Sequence, residues 1–199
     1  MEAFSDGVIA VAATLLVLNL VVPAAGAHGL AHALGRRWPA YAAYATSFIT
    51  IGIIWINHHV VLGRLREADH AILILNLLLL MTIGVLPFAT NLLSVYLNRP
   101  RGQHVAAAVY AGAFLLMSIA FTLLNWHILM RKTHLLRAPL SHEERRRIGL
   151  RFMTGLGPYV VATALAFVSQ YLTLGICAGI ALFYSLPVAN GQQRAAKTA

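Results

Sequence analysis

Six long apolar stretches, each close to the roughly 20 residues a helix needs to cross a hydrocarbon core, constrain this chain more than anything else in it. They run over 4–22, 38–62, 70–96, 104–130, 148–168 and 171–188. The last two are joined only by Ser169-Gln170, which predicts a tight hairpin, because one helix of about 40 residues would be twice what a bilayer can bury. Charged residues make up 11% of the sequence and gather between the apolar runs, where a soluble domain carries about a quarter. The expectation is an all-α integral membrane protein with six transmembrane helices in one unit over 1–190 and a short tail over 191–199.

The first run starts Met1-Glu2-Ala3-Phe4-Ser5-Asp6, which is acidic where a signal peptide needs a basic region, so it reads as a retained first helix. The single cysteine, Cys177, excludes a disulfide framework within one chain. A net charge of +9 invites a nucleic-acid reading, but the basic residues stand at the ends of apolar segments, where they orient a membrane protein. No nucleic-acid partner is expected. If the N-terminus is cytoplasmic, the inner connections hold Arg64, Arg66, Arg131, Lys132, Arg137, Arg145, Arg146, Arg147, Arg151, Arg194 and Lys197. The outer ones hold only Arg36, Arg37, Arg99 and Arg101. This positive-inside bias predicts a multi-pass cell-membrane protein with both termini cytoplasmic.

The largest polar connection runs from Arg131 to Arg147. Within it, Ser141-His142-Glu143-Glu144 reads as an N-cap followed by an acidic first turn, so the fifth helix is expected to begin in the cytoplasm. Arg145-Arg146-Arg147 reads as a solvated orienting cluster, with contact to anionic headgroups as the alternative. No extramembrane piece is large enough for soluble catalysis, and no enzyme activity is expected.

Ionisable or strongly polar groups inside spans are expensive and therefore mark function. Asp6 and Ser5 open the first span, Trp55, Asn57, His58 and His59 close the second, and Asn76 lies early in the third. With the topology above they share the cytoplasmic leaflet and are expected to form a hydrogen-bonded network joining the first three helices. Adjacent helical residues point about 100° apart, so His58 and His59 cannot grip one metal ion together. Neither a metal site nor a cofactor is expected.

On the first helix Val11, Thr14, Leu15 and Leu18 share one face, about 100° wide, and Ser5 and Asp6 project from the other side. That stripe is free to line a pore; lipid contact and bundle packing produce the same pattern. Pro87, Pro158 and Pro187 predict kinks, and Gly175 with Gly179 permits close helix contact. These are packing signals.

Three motifs then point the same way. Phe4-Ser5-Asp6-Gly7 opening an apolar helix resembles the Phe-Ser-Asp signature of the transmembrane protein 175 family of potassium channels. Ser47-Phe48 through Trp55-Ile56-Asn57-His58-His59 resembles that family's second helix. Asn76-Leu77-Leu78-Leu79-Leu80 leading to Pro87-Phe88-Ala89-Thr90 resembles its third. The arginine of the family's Arg-x-x-x-Phe-Ser-Asp signature would fall immediately before Met1.

The resemblance implies a six-helix subunit, a homotetramer, potassium as the permeant ion, and a central pore lined by helix one. Carried over by offset from Asp6, the constriction is Val11, Leu15 and Leu18, with Thr14 supplying a hydroxyl layer. Valine is shorter than the Ile or Leu expected at position 11, which moves the seal toward Leu15 or Leu18. No carbonyl-lined filter sequence is present, so a modest preference for potassium over sodium is expected from an apolar constriction plus hydroxyls. The rival is a proton-coupled secondary transporter with Asp6 and His58 or His59 as a relay, although inverted repeats and broken midplane helices are not evident.

Overall fold

The computed structural model describes residues 1–23 and 29–186, and everything regular in it is helical. Helix α1 covers Glu2–Leu15 and continues as a tighter turn over Leu16–Asn19. A short α2, Gly29–Gly35, precedes α3, Trp38–Gly63, and α4, His70–Tyr96. Next come α5, Gln103–Trp126, α6, His142–Thr154, α7, Leu156–Leu165, and α8, Gln170–Ser185. Four helical stretches are long and apolar enough to cross a membrane: Glu2–Asn19, Trp38–Gly63, His70–Tyr96 and Gln103–Arg131.

Helix ends follow local chemistry. Pro39 sits in the first turn of α3, where its missing N–H costs nothing. The Asp69 carboxylate accepts from the Ile72 N–H at 2.9 Å and caps α4. Its other oxygen meets Lys132 Nζ at 2.7 Å, and that bond holds the carboxyl below its usual range. Gly102 starts α5 at φ +91°, and a Cβ there would lie 2.9 Å from the Tyr96 ring, so only glycine suits the corner. The Ser141 cap is realised as a reciprocal box: Ser141 Oγ accepts from the Glu144 N–H, and Glu144 Oε2 accepts from the Ser141 N–H.

Three boundaries differ from the sequence reading. The first helix ends at Asn19 and not at Val22. The stretch read as one fifth span is two helices that meet at Gly155. Pro158 explains this break, since it cannot donate to the Thr154 carbonyl and its ring crowds that carbonyl, with Gly155 and Gly157 offering no resistance. The last helix stops at Ser185, and Pro187, Val188 and the 191–199 tail lie outside the described residues. Alone, α7 and α8 are shorter than a bilayer requires.

The helices pack in chain order, α1 on α3 and α4, α4 on α5, α5 on α7, and α8 closing against α3. The core is mostly aliphatic, with Ile72, Leu79, Ile83, Leu86, Leu93 and Met117 fully buried beside the rings of Tyr110 and Phe114. A polar knot lies inside it. Ser47 Oγ is 2.8 Å from Thr90 Oγ1 and 3.1 Å from the Tyr110 hydroxyl, which joins α3, α4 and α5 at one level. At one end of the bundle the connection after α5 pairs with the corner after α3. There the Arg66 N–H donates to the Leu135 carbonyl and the Arg137 N–H to the Arg64 carbonyl, both at 2.8 Å. At the opposite end His104 Nδ1 meets the Ala166 carbonyl at 2.9 Å, and the Tyr171 hydroxyl donates to Asn98 at 2.9 Å.

Candidate functional site

Helix α1 has two faces of opposite character. Ser5, Ile9, Ala12 and Leu16, spaced four, three and four apart, are buried against α3 and α4. Val11, Leu15 and Leu18 are 56%, 43% and 69% exposed, and Thr14 is exposed between them. The stripe rises about 10 Å from Val11 to Leu18 at 1.5 Å per residue. Phe4, seven residues before Val11, extends the same line toward the chain start and is also exposed. The ridge thus lies on the exposed side of a helix that is buried along its Ser5, Ile9, Ala12 and Leu16 stripe.

Thr14 is set up in a particular way. Its hydroxyl donates to the Val11 carbonyl of its own helix at 2.9 Å. With the proton turned inward, the oxygen presents lone pairs to whatever the ridge faces, which suits a cation and not an anion.

The opposite face anchors the helix. Ser5 Oγ donates to the Met1 carbonyl at 3.2 Å, so it must accept from Asn76, whose Nδ2 lies 2.9 Å away. Asn76 Oδ1 is then left as an acceptor for His58 Nε2 at 2.7 Å, which places the imidazole proton on Nε2. Ser5, His58 and Asn76 are all buried, so one bond chain ties α1, α3 and α4 together.

Asp6 and Trp55 form a second, more exposed contact, with Trp55 Nε1 donating to Asp6 Oδ1 at 2.9 Å. His59 lies beside Trp55 at 6.0 Å between ring centroids and meets Glu2 at 3.0 Å. The structure thus divides the residues expected in one network into two groups, and it leaves Asn57 out. Asn57 Nδ2 donates to the Ile53 carbonyl of its own helix at 2.8 Å, and the side chain lines a separate small cavity with Thr50 and Tyr159. Among the described residues no set of three His, Cys, Asp or Glu is placed to hold a metal.

Sequence reasoning passed over Asn19, Glu2 and the Ser47–Thr90–Tyr110 knot. Asn19 Nδ2 donates to the Pro87 carbonyl at 3.3 Å, pinning the far end of the α1 stretch to the proline region of α4. The available signal was an amide alone inside the Leu18–Leu20 run, opposite a helix whose proline disturbs its carbonyl ladder. The Ser47 motif carried a family likeness but no obvious partner, because its partners lie 43 and 63 residues away.

Comparisons with known proteins point to one channel family, whose members carry names for different ions. A family model described as endosomal/lysosomal potassium channel TMEM175 matches residues 1–87, the part that holds both faces of α1 and their partners. The chain is 46% identical over 185 residues to a protein of Streptomyces collinus named as a potassium channel, covering 92% of this chain and 89% of that one. It is 33% identical over 190 residues to the human protein named endosomal/lysosomal proton channel TMEM175, covering 90% of this chain and 37% of the human one. Its fold superposes on the crystal structure of a lysosomal potassium-selective channel TMEM175 homolog from Chamaesiphon minutus with a TM-score of 0.84, at 40% identity and 96% coverage of each chain. Given the extent of the match to the Chamaesiphon TMEM175 homolog, with the family model over residues 1–87 beside it, this chain belongs to the TMEM175 family.

Proposed function

We propose that this protein is a potassium channel that conducts passively, through an apolar constriction built by four copies of α1 around a shared axis. The observation that carries the reading is the exposed Val11, Thr14, Leu15 and Leu18 ridge on a helix whose Ser5, Ile9, Ala12 and Leu16 stripe is buried in its own subunit. One subunit offers one such helix and cannot enclose a conduit, and fourfold repetition closes the ridge on itself. The near full-length similarity to a protein named as a potassium channel supplies the ion.

Rings of Leu15 and Leu18 about one side chain across exclude water and charge a toll on any ion that must shed its hydration shell. Potassium holds that shell less tightly than sodium and is penalised less. Thr14 oxygens from four subunits, their protons already committed to the Val11 carbonyls, replace part of the lost water. The outcome is a modest preference for potassium.

The chain crosses a cell membrane six times, the apolar end of α6 with α7 supplying the fifth crossing and the apolar sequence from α8 through Val188 the sixth. Both ends of the chain lie in the cytoplasm. Contacts at the two ends of the bundle support this path. The connection after α5 pairs with the corner after α3 at one end, and the α7–α8 turn meets the α4–α5 corner at the other.

The transporter reading needs Asp6 and a histidine to exchange a proton. Asp6 is bonded to Trp55, His59 to Glu2, and His58 to Asn76, and among the described residues no hydrogen bond links Asp6 to either imidazole. His58 Nδ1 is buried with no hydrogen-bond partner among the described residues, and the bond chain stops there. Purified protein in planar bilayers under opposed potassium and sodium gradients is expected to pass current reversing on the potassium side. A current that instead follows an imposed proton gradient would establish the rival. Thr14→Ala is expected to bring the potassium-to-sodium permeability ratio severalfold closer to one while current persists; an unchanged ratio would remove the hydroxyl layer from the account.

A further inference from the structure

The carboxylates of this chain are segregated. Its six acidic residues, Glu2, Asp6, Glu67, Asp69, Glu143 and Glu144, all belong to segments gathered at the end where α1 starts and α3 finishes. The opposite end is basic without compensation. Arg36, Arg37 and Arg99 open onto one cavity of about 670 Å³, which Asn91, Asn98 and Trp38 also line. Among the described residues no carboxylate reaches any of the three arginines, and Arg99 rests on the Tyr96 ring at 5.3 Å. Three arginines and two amide side chains lining one cavity offer the charge and donors that a phosphate-bearing anion takes.

A second cavity shares Trp38 with the first. Trp38 also heads a groove of about 380 Å³ between α3 and α8, where it stacks on Tyr171 with centroids 6.1 Å apart. Small side chains, Ala42, Ala45, Gly175 and Ala178, keep the groove open down to Ile49. From Trp38 to Ile49 the helix rises about 16 Å, close to half of the roughly 30 Å hydrocarbon core. A Trp–Tyr pair marks the headgroup level of a bilayer. Positive charge above that level and an apolar channel one leaflet deep below it are complementary to a single kind of membrane molecule.

We infer that this end of the subunit binds an anionic phospholipid, its phosphate on Arg36, Arg37 and Arg99 and one acyl chain in the α3–α8 groove beneath Trp38. Neutral phospholipids fill the groove but forfeit the guanidinium contacts, and free phosphate takes the contacts but leaves the groove. The requirement for both distinguishes the lipid from either.

Thermal unfolding of the full chain in neutral detergent tests this directly, because it reads binding and not current. Titrated phosphatidylglycerol should raise the midpoint well beyond phosphatidylcholine, with at least tenfold lower half-saturation. R36Q/R37Q/R99Q should abolish that difference while its midpoint in phosphatidylcholine matches the native chain; should the triple variant not fold, R36Q alone should weaken the phosphatidylglycerol response severalfold. Ala45→Phe, which fills the groove, should blunt the phosphatidylglycerol response. Equal effects of the two lipids on the native chain would overturn the proposal. So would inorganic phosphate alone reproducing the full stabilisation, which would make the site one for a free oxyanion. A loss of oligomeric size in Ala45→Phe would assign the groove to a second copy of the chain and also overturn it.

Discussion

Leu15→Ser is expected to raise potassium conductance by about tenfold and to erase most of the preference over sodium. Leu15 stands near the middle of the bare ridge, 43% exposed in the isolated subunit, and neighbours Thr14 without touching its hydroxyl bond. In a fourfold assembly its replacement puts four hydroxyls where four isobutyl groups excluded water, and a wetted ring no longer demands dehydration. A tenfold gain corresponds to removing about 1.4 kcal/mol from the barrier, a modest share of what a dry ring imposes. The fold should be unaffected, because Leu15 contributes nothing to the buried Ile9, Ala12 and Leu16 face. Single-channel recording against the native chain checks both the size and the loss of selectivity.

Asn76→Leu should produce the largest stability loss of any single change at the site. Asn76 is the central link of the buried chain, receiving from His58 at 2.7 Å and giving to Ser5 at 2.9 Å. Leucine has a similar volume, so little cavity forms, but one buried donor and one buried acceptor lose their partners. Each costs about 1–3 kcal/mol, and at about 2–4 °C per kcal/mol for a chain of this size the midpoint should fall by about 10 °C. Asn57→Leu is the matched control. Among the described residues Asn57 bonds to the carbonyl of its own helix and to no other helix, and its loss should move the midpoint by no more than about 2–3 °C. Comparable shifts in the two variants would mean that the polar chain does not hold α1 in place.

Much of this was legible before any coordinates. Hydropathy located α3 and α4 nearly to the residue because both are long, continuous and bounded by strong signals, Pro39 at one start and Asp69 at the other. Periodicity separated the two faces of α1 because 3.6-residue spacing is a local property. The misjudged features are those that length and periodicity do not encode. Gly155-Leu156-Gly157-Pro158 lies within an apolar stretch long enough for a span, and hydropathy averages over the carbonyl clash that divides it. Asn57 sits beside His58 in sequence, yet a turn of about 100° sends the two to different neighbours, and only packing decides which polar groups meet. Asn19 and Tyr110 find their partners 68 and 63 residues away, pairings that a single sequence leaves unspecified.

The direction in which the α1 ridge points decides between a conduit and a lipid-facing surface. In a Cys177→Ala background, with the buried native thiol removed, Leu15→Cys protein should carry potassium current in planar bilayers that a bulky, positively charged thiosulfonate reagent abolishes. Mass spectrometry of the same sample would report the fraction of subunits modified. The account predicts block complete at full labelling and reversed by reductant. Full labelling with undiminished current would place residue 15 outside the ion path and contradict it.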